Sequence, residues 1–295
     1  MTSHSPRPLE VIRSGAVARL VVGTLVLGLA GCAPSAETSG PAATAQASTA
    51  TSVPVAASAS PTSGGSAAPA SPPPAATAAR NPAPVDAAVP YQPAIDPADF
   101  VSAIDNPYWP LTPGTSYEFE SADEQTKVVV TSERRTVMGI STVVVSDKVF
   151  ADGKLSEDTS DWYAQDRAGN VWYFGEATLS YEDDPAGDPA GSWEAGVDGA
   201  QPGVVMLADP LGGDVYRQEF YAGDAEDMAL VRYANGSITV PAGSYENVLV
   251  TEEWTPLEPK VIELKYYAKG IGVVEERQIL GGTELVKLTK VTPAP

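Results

Sequence analysis

Hydrophobic and polar positions alternate in short runs along the second two-thirds of the chain, and the runs are rich in Val, Thr and Tyr. Lys127–Thr131, Ser141–Val145, Asn170–Phe174, Ser237–Val240, Asn247–Thr251 and Val261–Tyr267 each read as a β-strand bounded by turn residues. Asn235-Gly236 between two such runs predicts a two-residue hairpin, because a type I′ turn asks for positive φ at both central positions. Asp166 to Asn170 predicts a longer hairpin loop in which Gly169 supplies a bulge. Helical periodicity is weak, with room for one turn at Asp224–Leu230. These patterns predict an all-β domain of antiparallel sheets.

The chain also repeats itself at a spacing of about 100 residues. Pro110-Leu111 with Gly114 and Tyr117 matches Pro210-Leu211 with Gly213 and Tyr216. Val143–Val145 matches Val248–Val250, Trp162-Tyr163-Ala164 matches Tyr266-Tyr267-Ala268, and Gly169 with Val171 matches Gly270 with Val273. The matches keep their order. They predict two tandem repeats of about five strands each, over about 108–182 and 208–292, forming one curved sheet or a half-barrel. Equivalent tyrosines, Tyr117 with Tyr216 and Tyr163 with Tyr267, should then superpose.

The first third has a different pattern. Leu20–Ala30 is an apolar run behind Arg7, Arg13 and Arg19, too short for a bilayer that needs about 20 apolar residues. It ends at Leu29-Ala30-Gly31-Cys32, which resembles the bacterial lipobox. Residues 1–31 are expected to be a lipoprotein signal peptide, and Cys32 the lipidated first residue of the mature chain. Residues 32–94 follow as an Ala/Pro/Ser/Thr-rich tether. From Pro34 to Pro84, 45 of 51 residues are Ala, Pro, Ser, Thr or Gly. So few apolar side chains cannot offset ordering entropy, so the tether is expected to be disordered. It would then lift the duplicated domain, residues 95–295, off the membrane.

Composition narrows the chemistry. The chain's single histidine, His4, and single cysteine, Cys32, both precede the β region. That region therefore has no disulfide, no Cys/His zinc site and no histidine-dependent triad. The net charge of −20 repels anionic lipid and nucleic acid, leaving the lipid on Cys32 as the expected membrane contact. P-loop, nucleophile-elbow and dinucleotide signatures are absent, so no cofactor is expected.

Two groups of residues remain as site candidates. Trp162, Trp172, Glu176, Trp193 and Glu194 lie within 33 positions and would suit a sugar or an apolar ligand. Strict alternation places Glu176 on one face with Trp172 and Phe174. Trp193, among Asp, Pro and Gly, is expected in an exposed loop, with Trp162 and Trp172 in the core. Asp183, Asp184 and Asp188 could offer oxygens to Ca²⁺, as could Asp224, Glu226 and Asp227, but neither set follows the EF-hand order.

Two stretches carry a family resemblance. They are Val240 to Val250 followed by Tyr266 to Val274, and Asp161 to Glu176 followed by Ser192 to Gly196. Together they resemble an uncharacterised family of bacterial, actinobacterial-type envelope lipoproteins, with Lys269 and Ile271 where that pattern has proline and valine. The resemblance implies a β-rich, half-barrel-like fold and a lipoprotein setting, and no activity. The functional expectation is an extracytoplasmic, lipid-anchored, non-enzymatic binding module for an envelope glycan, lipid or protein. The alternatives are a carbohydrate-active hydrolase using Asp and Glu, or a lipid carrier with a cavity in the half-barrel.

Overall fold

The computed structural model describes residues 90–182 and 184–295; the expected signal peptide, Cys32 and most of the expected tether lie outside the described residues. A short strand β1 (Phe100–Val101) leads in. The first meander runs through β2 (Ser116–Glu120), β3 (Glu124–Val137), β4 (Ile140–Ala151), β5 (Lys154–Asp166) and β6 (Val171–Ser180). Strands β7 (Trp193–Glu194) and β8 (Gln201–Met206) pair with separate stretches of β6. The second half comprises β9 (Val215–Arg217), β10 (Glu219–Phe220), β11 (Met228–Val240), β12 (Gly243–Trp254), β13 (Ile262–Ala268), β14 (Gly272–Leu280) and β15 (Leu285–Thr292).

Every pairing is antiparallel, in the order β10-β8-β6-β5-β4-β3-β2-β15-β14-β13-β12-β11-β9. Strand β15 joins β2, so the two meanders form one sheet that curls past a half-barrel to near closure. At the seam, β9 pairs with β11 while β10 pairs with β8. The chain thus crosses from one edge to the other at Gln218. Gly203 makes room for that crossing: a Cβ there would lie 2.2 Å from the Gln218 carbonyl carbon.

The two halves share strand order and several local details. Gly114 donates to the Val130 carbonyl at 2.8 Å, and Val130 donates back to Thr115 at 3.0 Å. Gly213 donates to Val231 at 2.8 Å, and Val231 donates back to Asp214 at 2.9 Å. Tyr117 faces Val128 across its ladder as Tyr216 faces Ala229. Between β5 and β6, and again between β13 and β14, one extra residue enters the second strand beside the buried tyrosine.

Asn235-Gly236 does not form the expected hairpin. Neither residue has positive φ, and β11 runs through them to turn at Pro241-Ala242. The ladder from Met228–Trp254 to Val240–Gly243 outweighs the local turn preference. Gly236 instead serves a bulge, where a Cβ would meet the Tyr233 ring at 3.0 Å. Met228–Leu230, allotted to a helical turn, begins that strand. The Asp166–Asn170 hairpin loop forms, with Gly169 at φ 97°.

Trp109 lies between the halves, its ring centroid 5.7 Å from Tyr163 and 5.9 Å from Tyr267. The segment carrying it is fixed by Asn106, whose amide donates to the Gly169 and Leu207 carbonyls, and by Gln165, which accepts from the Asp105 and Asn106 amides. Valines on alternate positions of β3 and β4, such as Val128, Val130, Val143 and Val145, complete this apolar end. Each buried valine contributes about 1.5–3 kcal/mol.

Candidate functional site

Alternation along β5 turns Asp161, Tyr163 and Gln165 inward and Trp162 outward. Tyr163 stacks on Tyr173 of β6, with centroids 4.9 Å apart. Simple alternation would face Glu176 away from Tyr173, but the extra residue in β6 reverses it. Asp161 pairs with Glu176, whereas Tyr163 pairs with Tyr173. Gly175 makes this bulge possible, at φ 122° and with a Cβ position 2.3 Å from the Trp193 carbonyl oxygen. The expected grouping of Glu176 with Trp172 and Phe174 is therefore corrected, and its carboxyl enters the barrel.

The result is two carboxyl groups on one phenol. The Tyr173 hydroxyl lies 2.8 Å from Asp161 Oδ1 and 2.9 Å from Glu176 Oε2. A phenol has one proton to donate. It satisfies one carboxylate, and the other contact is favourable only when that carboxyl is protonated and donates to the phenol oxygen. Asp161 and Glu176 are 1% and 3% exposed, so water does not relieve their repulsion. Burial pushes Asp161 up to about 7, opposed by the Tyr173 hydrogen bond and reinforced by Glu157. Burial and then the Asp161 charge hold Glu176 well above the usual carboxylate range.

The cluster extends further. Asp147 is buried and raised by desolvation and by Asp161, and Glu219 by desolvation, Asp227 and Glu176. Burial brings Asp227 to about 7 against the pull of Lys265. Asp147 Oδ1, Asp161 Oδ2, both Glu219 oxygens and the Tyr163 hydroxyl have no hydrogen-bond partner among the described residues.

The second half solves the same position differently. Lys265 pairs with Glu276 across β13 and β14 as Asp161 pairs with Glu176 across β5 and β6. Its ammonium lies 3.1 Å from Glu253 and 3.5 Å from Glu276. Glu253 also accepts from Thr251 at 2.6 Å and from Tyr267 at 2.8 Å. Burial works against the Lys265 charge, but Glu253, Glu276 and Glu263 together hold the ammonium above its ordinary range.

The residues nominated from sequence divide between two faces. Trp193 is a correction: it is 5% exposed, on β7, with its ring edge-on to Tyr173 at 5.3 Å. The Pro/Gly-rich stretch before it folds back onto β6, so Trp193 pairs with Glu176 instead of standing in a loop. Trp162 is buried on the outer face beneath Arg135, whose guanidinium lies 4.0 Å from the ring and also pairs with Glu194. Trp172 is half-buried under Phe100 and donates to Asp166 at 2.8 Å. Asp183 lies outside the described residues. Asp184 and Asp188 accept from the Ala186 and Ala190 amides in local turns. Among the described residues, no three Asp, Glu, His or Cys side chains are arranged to hold a metal ion.

Nothing in the residue pattern signals the inward Glu176, since bulges are invisible to period-two reading. Lys265 was within reach, because it stands two residues before Tyr267 as Asp161 stands before Tyr163. A cavity of about 40 Å³ beside Trp109, lined by Tyr117, Phe119, Val128, Tyr163 and Val273, has room for a water, far short of an acyl chain.

No family model matches the chain, and no curated protein does. Among solved structures, it is similar to the crystal structure of a protein of Bacteroides fragilis described as exported, with a YmcC-like fold. That similarity is 15% identity over 63% of this chain and 99% of that one, at a TM-score of 0.39. It is also similar to a protein of Parabacteroides distasonis described as a lipoprotein, at 11% identity over 63% and 98%, with a TM-score of 0.35.

Proposed function

We propose that this chain is an extracytoplasmic lipoprotein, held to the bacterial cell membrane by lipid on Cys32, and that its barrel is a binding module of the envelope. The reading of the anchor rests on the order Arg-rich start, apolar run and Leu29-Ala30-Gly31-Cys32, with the chain's single cysteine at the modified place. Two acyl chains would be needed for durable attachment, which a diacylglyceryl cysteine supplies.

One observation favours a module over a hydrolase. Asp161 and Glu176, the carboxyls that converge on one phenol, are sealed in the barrel interior. A glycosidase must present its acid and its base or nucleophile to the sugar. The outer face offers a contact instead: Arg135 over Trp162 and against Glu194, flanked by exposed Met138 and Val197. An envelope glycan, lipid headgroup or protein would meet that surface. The two meanders are read as copies of one duplicated unit, supported by the matched Gly114 and Gly213 hydrogen bonds and the matched bulges.

The anchor is tested by labelling cells with an alkyne-bearing palmitate analogue and fractionating them. The wild-type chain should carry label and sediment with membranes, while Cys32→Ser should lose both. Membrane retention of the serine variant would overturn the reading.

A further inference from the structure

The seam has the shortest ladder in the barrel wall, and the segment that leads in from the N-terminal side lies across it. Strand β10 contributes two residue pairs to β8, Glu219 with Pro202 and Phe220 with Gln201. Pro202 has no N–H to give to that ladder. Its carbonyl instead accepts from the hydroxyl of Tyr91 at 3.0 Å. The Tyr91 ring meets Phe220 edge-on at 5.7 Å, and the Arg217 guanidinium stacks on both rings, 5.5 Å from Tyr91 and 4.8 Å from Phe220. One side chain therefore touches β8, β9 and β10 together.

From Pro90 to Asp96 the chain is extended but outside the sheet, and Tyr91, Pro93 and Ile95 turn toward the barrel while their neighbours are exposed. The far end is pinned. Arg167 donates its amide to the Asp99 carbonyl at 2.7 Å and its Nε to the Ala98 carbonyl at 2.9 Å, and β1 pairs with β5. The strap is thus fastened at Ala98–Val101 at one end and held by Tyr91 at the other. Beneath it the seam carries Glu219, fully buried, with both carboxyl oxygens lacking a hydrogen-bond partner among the described residues.

We propose that Pro90–Asp96 is a strap whose Tyr91 locks the barrel seam, and that lifting it opens the acidic interior to solvent at Glu219. The strap is also the part of the barrel domain first reached from the direction of Cys32. Tension on the chain, or a partner that takes up this segment, acts on Tyr91 before it acts on the sheet. The lock consists of one hydrogen bond, one edge-on ring contact and one cation–π contact, so it opens without unfolding the long ladders of β3–β5 or β11–β12.

Hydrogen exchange and carboxyl footprinting of the full chain test this directly. Tyr91→Ala should speed exchange at the Gln201, Gly203, Glu219 and Phe220 amides by about tenfold or more, with β4 and β5 unchanged. A water-soluble carbodiimide with an amine trap should then modify Glu219 in the variant and spare it in the wild type. Tyr91→Phe keeps the ring contacts and loses only the bond to Pro202, so it should fold and show a smaller rise at the same amides. Unchanged seam exchange in both variants would overturn the strap, as would acceleration spread evenly over the barrel. Equal labelling of Glu219 in wild type and Tyr91→Ala would overturn the claim that the strap covers it.

Discussion

Asp161 and Lys265 stand at matching places in the two halves of the barrel and carry opposite formal charge. Each lies two residues before a fully buried tyrosine, and each faces a glutamate on the next strand, Glu176 or Glu276. In the second half the ammonium neutralises its neighbours. In the first half a carboxyl stands there, and burial beside Glu176 and the single Tyr173 hydroxyl favours its protonated form.

This asymmetry fixes the sign of the pH dependence. Asp161 and Asp227 rise from an ordinary value near 3.8 to about 7, and Glu176, Asp147 and Glu219 also rise. Between those limits the folded state holds more protons than the unfolded chain, so stability falls as pH rises. From these groups, Tm should be highest at or below about pH 4 and decline steadily through pH 7. Asp161→Asn mimics the protonated carboxyl, so it should flatten that decline and raise Tm at pH 8. An Asp161→Asn variant with the wild-type slope would show that Asp161 is ionised in the folded protein.

Lys265 should be far more sensitive than its neighbours on the surface. Lys265→Met leaves Glu253 and Glu276 buried without their cation, a change that typically costs about 3–5 kcal/mol. Denaturant melts should show that loss, and it should grow from pH 5 to pH 8 as the stranded carboxyls resist ionisation. The exposed pair Lys290–Glu118 serves as the comparison, and its removal should leave the melt close to that of the wild type.

Trp193 and Glu194 are adjacent and should behave oppositely. Trp193→Ala removes a buried ring from the side of Tyr173, and a cavity in the core costs about 3–5 kcal/mol. Glu194→Ala breaks a partly exposed pair with Arg135 and should cost no more than about 1 kcal/mol. Urea unfolding of the two variants separates these outcomes.

Gly175→Ala combines two penalties. The residue sits at φ 122°, and the added methyl would lie 2.3 Å from the Trp193 carbonyl oxygen. The bulge should be lost or β7 displaced, turning Glu176 out of the cluster. A clear fall in Tm, together with a weakened dependence of Tm on pH, is the expected result. A fall in Tm with the pH dependence intact would separate packing from the Glu176 orientation.

The sheet was legible in the sequence because valine- and tyrosine-rich runs alternate, and the likeness of the two halves because Pro110-Leu111 with Gly114 and Tyr117 matches Pro210-Leu211 with Gly213 and Tyr216. What escaped was the work of single residues against that pattern. One extra residue at Gly175 turns Glu176 inward, and no periodicity announces it. Asn235-Gly236 has the composition of a turn, yet a long ladder holds it inside a strand. Trp193 lies in a segment with no alternation of its own, and becomes core because β6 offers it an edge. The interior cluster depends on bulges and long-range register, so its members are separated by up to 80 positions and share no motif.

In the folded barrel Asp161 and Glu176 are expected to share a proton through Tyr173. The most direct measurement is a carboxyl-carbon NMR titration of the wild type, assigned with Asp161→Asn and Glu176→Gln. Asp161 should titrate near neutral pH, at about 7, and Glu176 well above the usual carboxylate range, with the two curves displaced when either partner is replaced. Two carboxyls titrating independently in the ordinary range near pH 4 would contradict it.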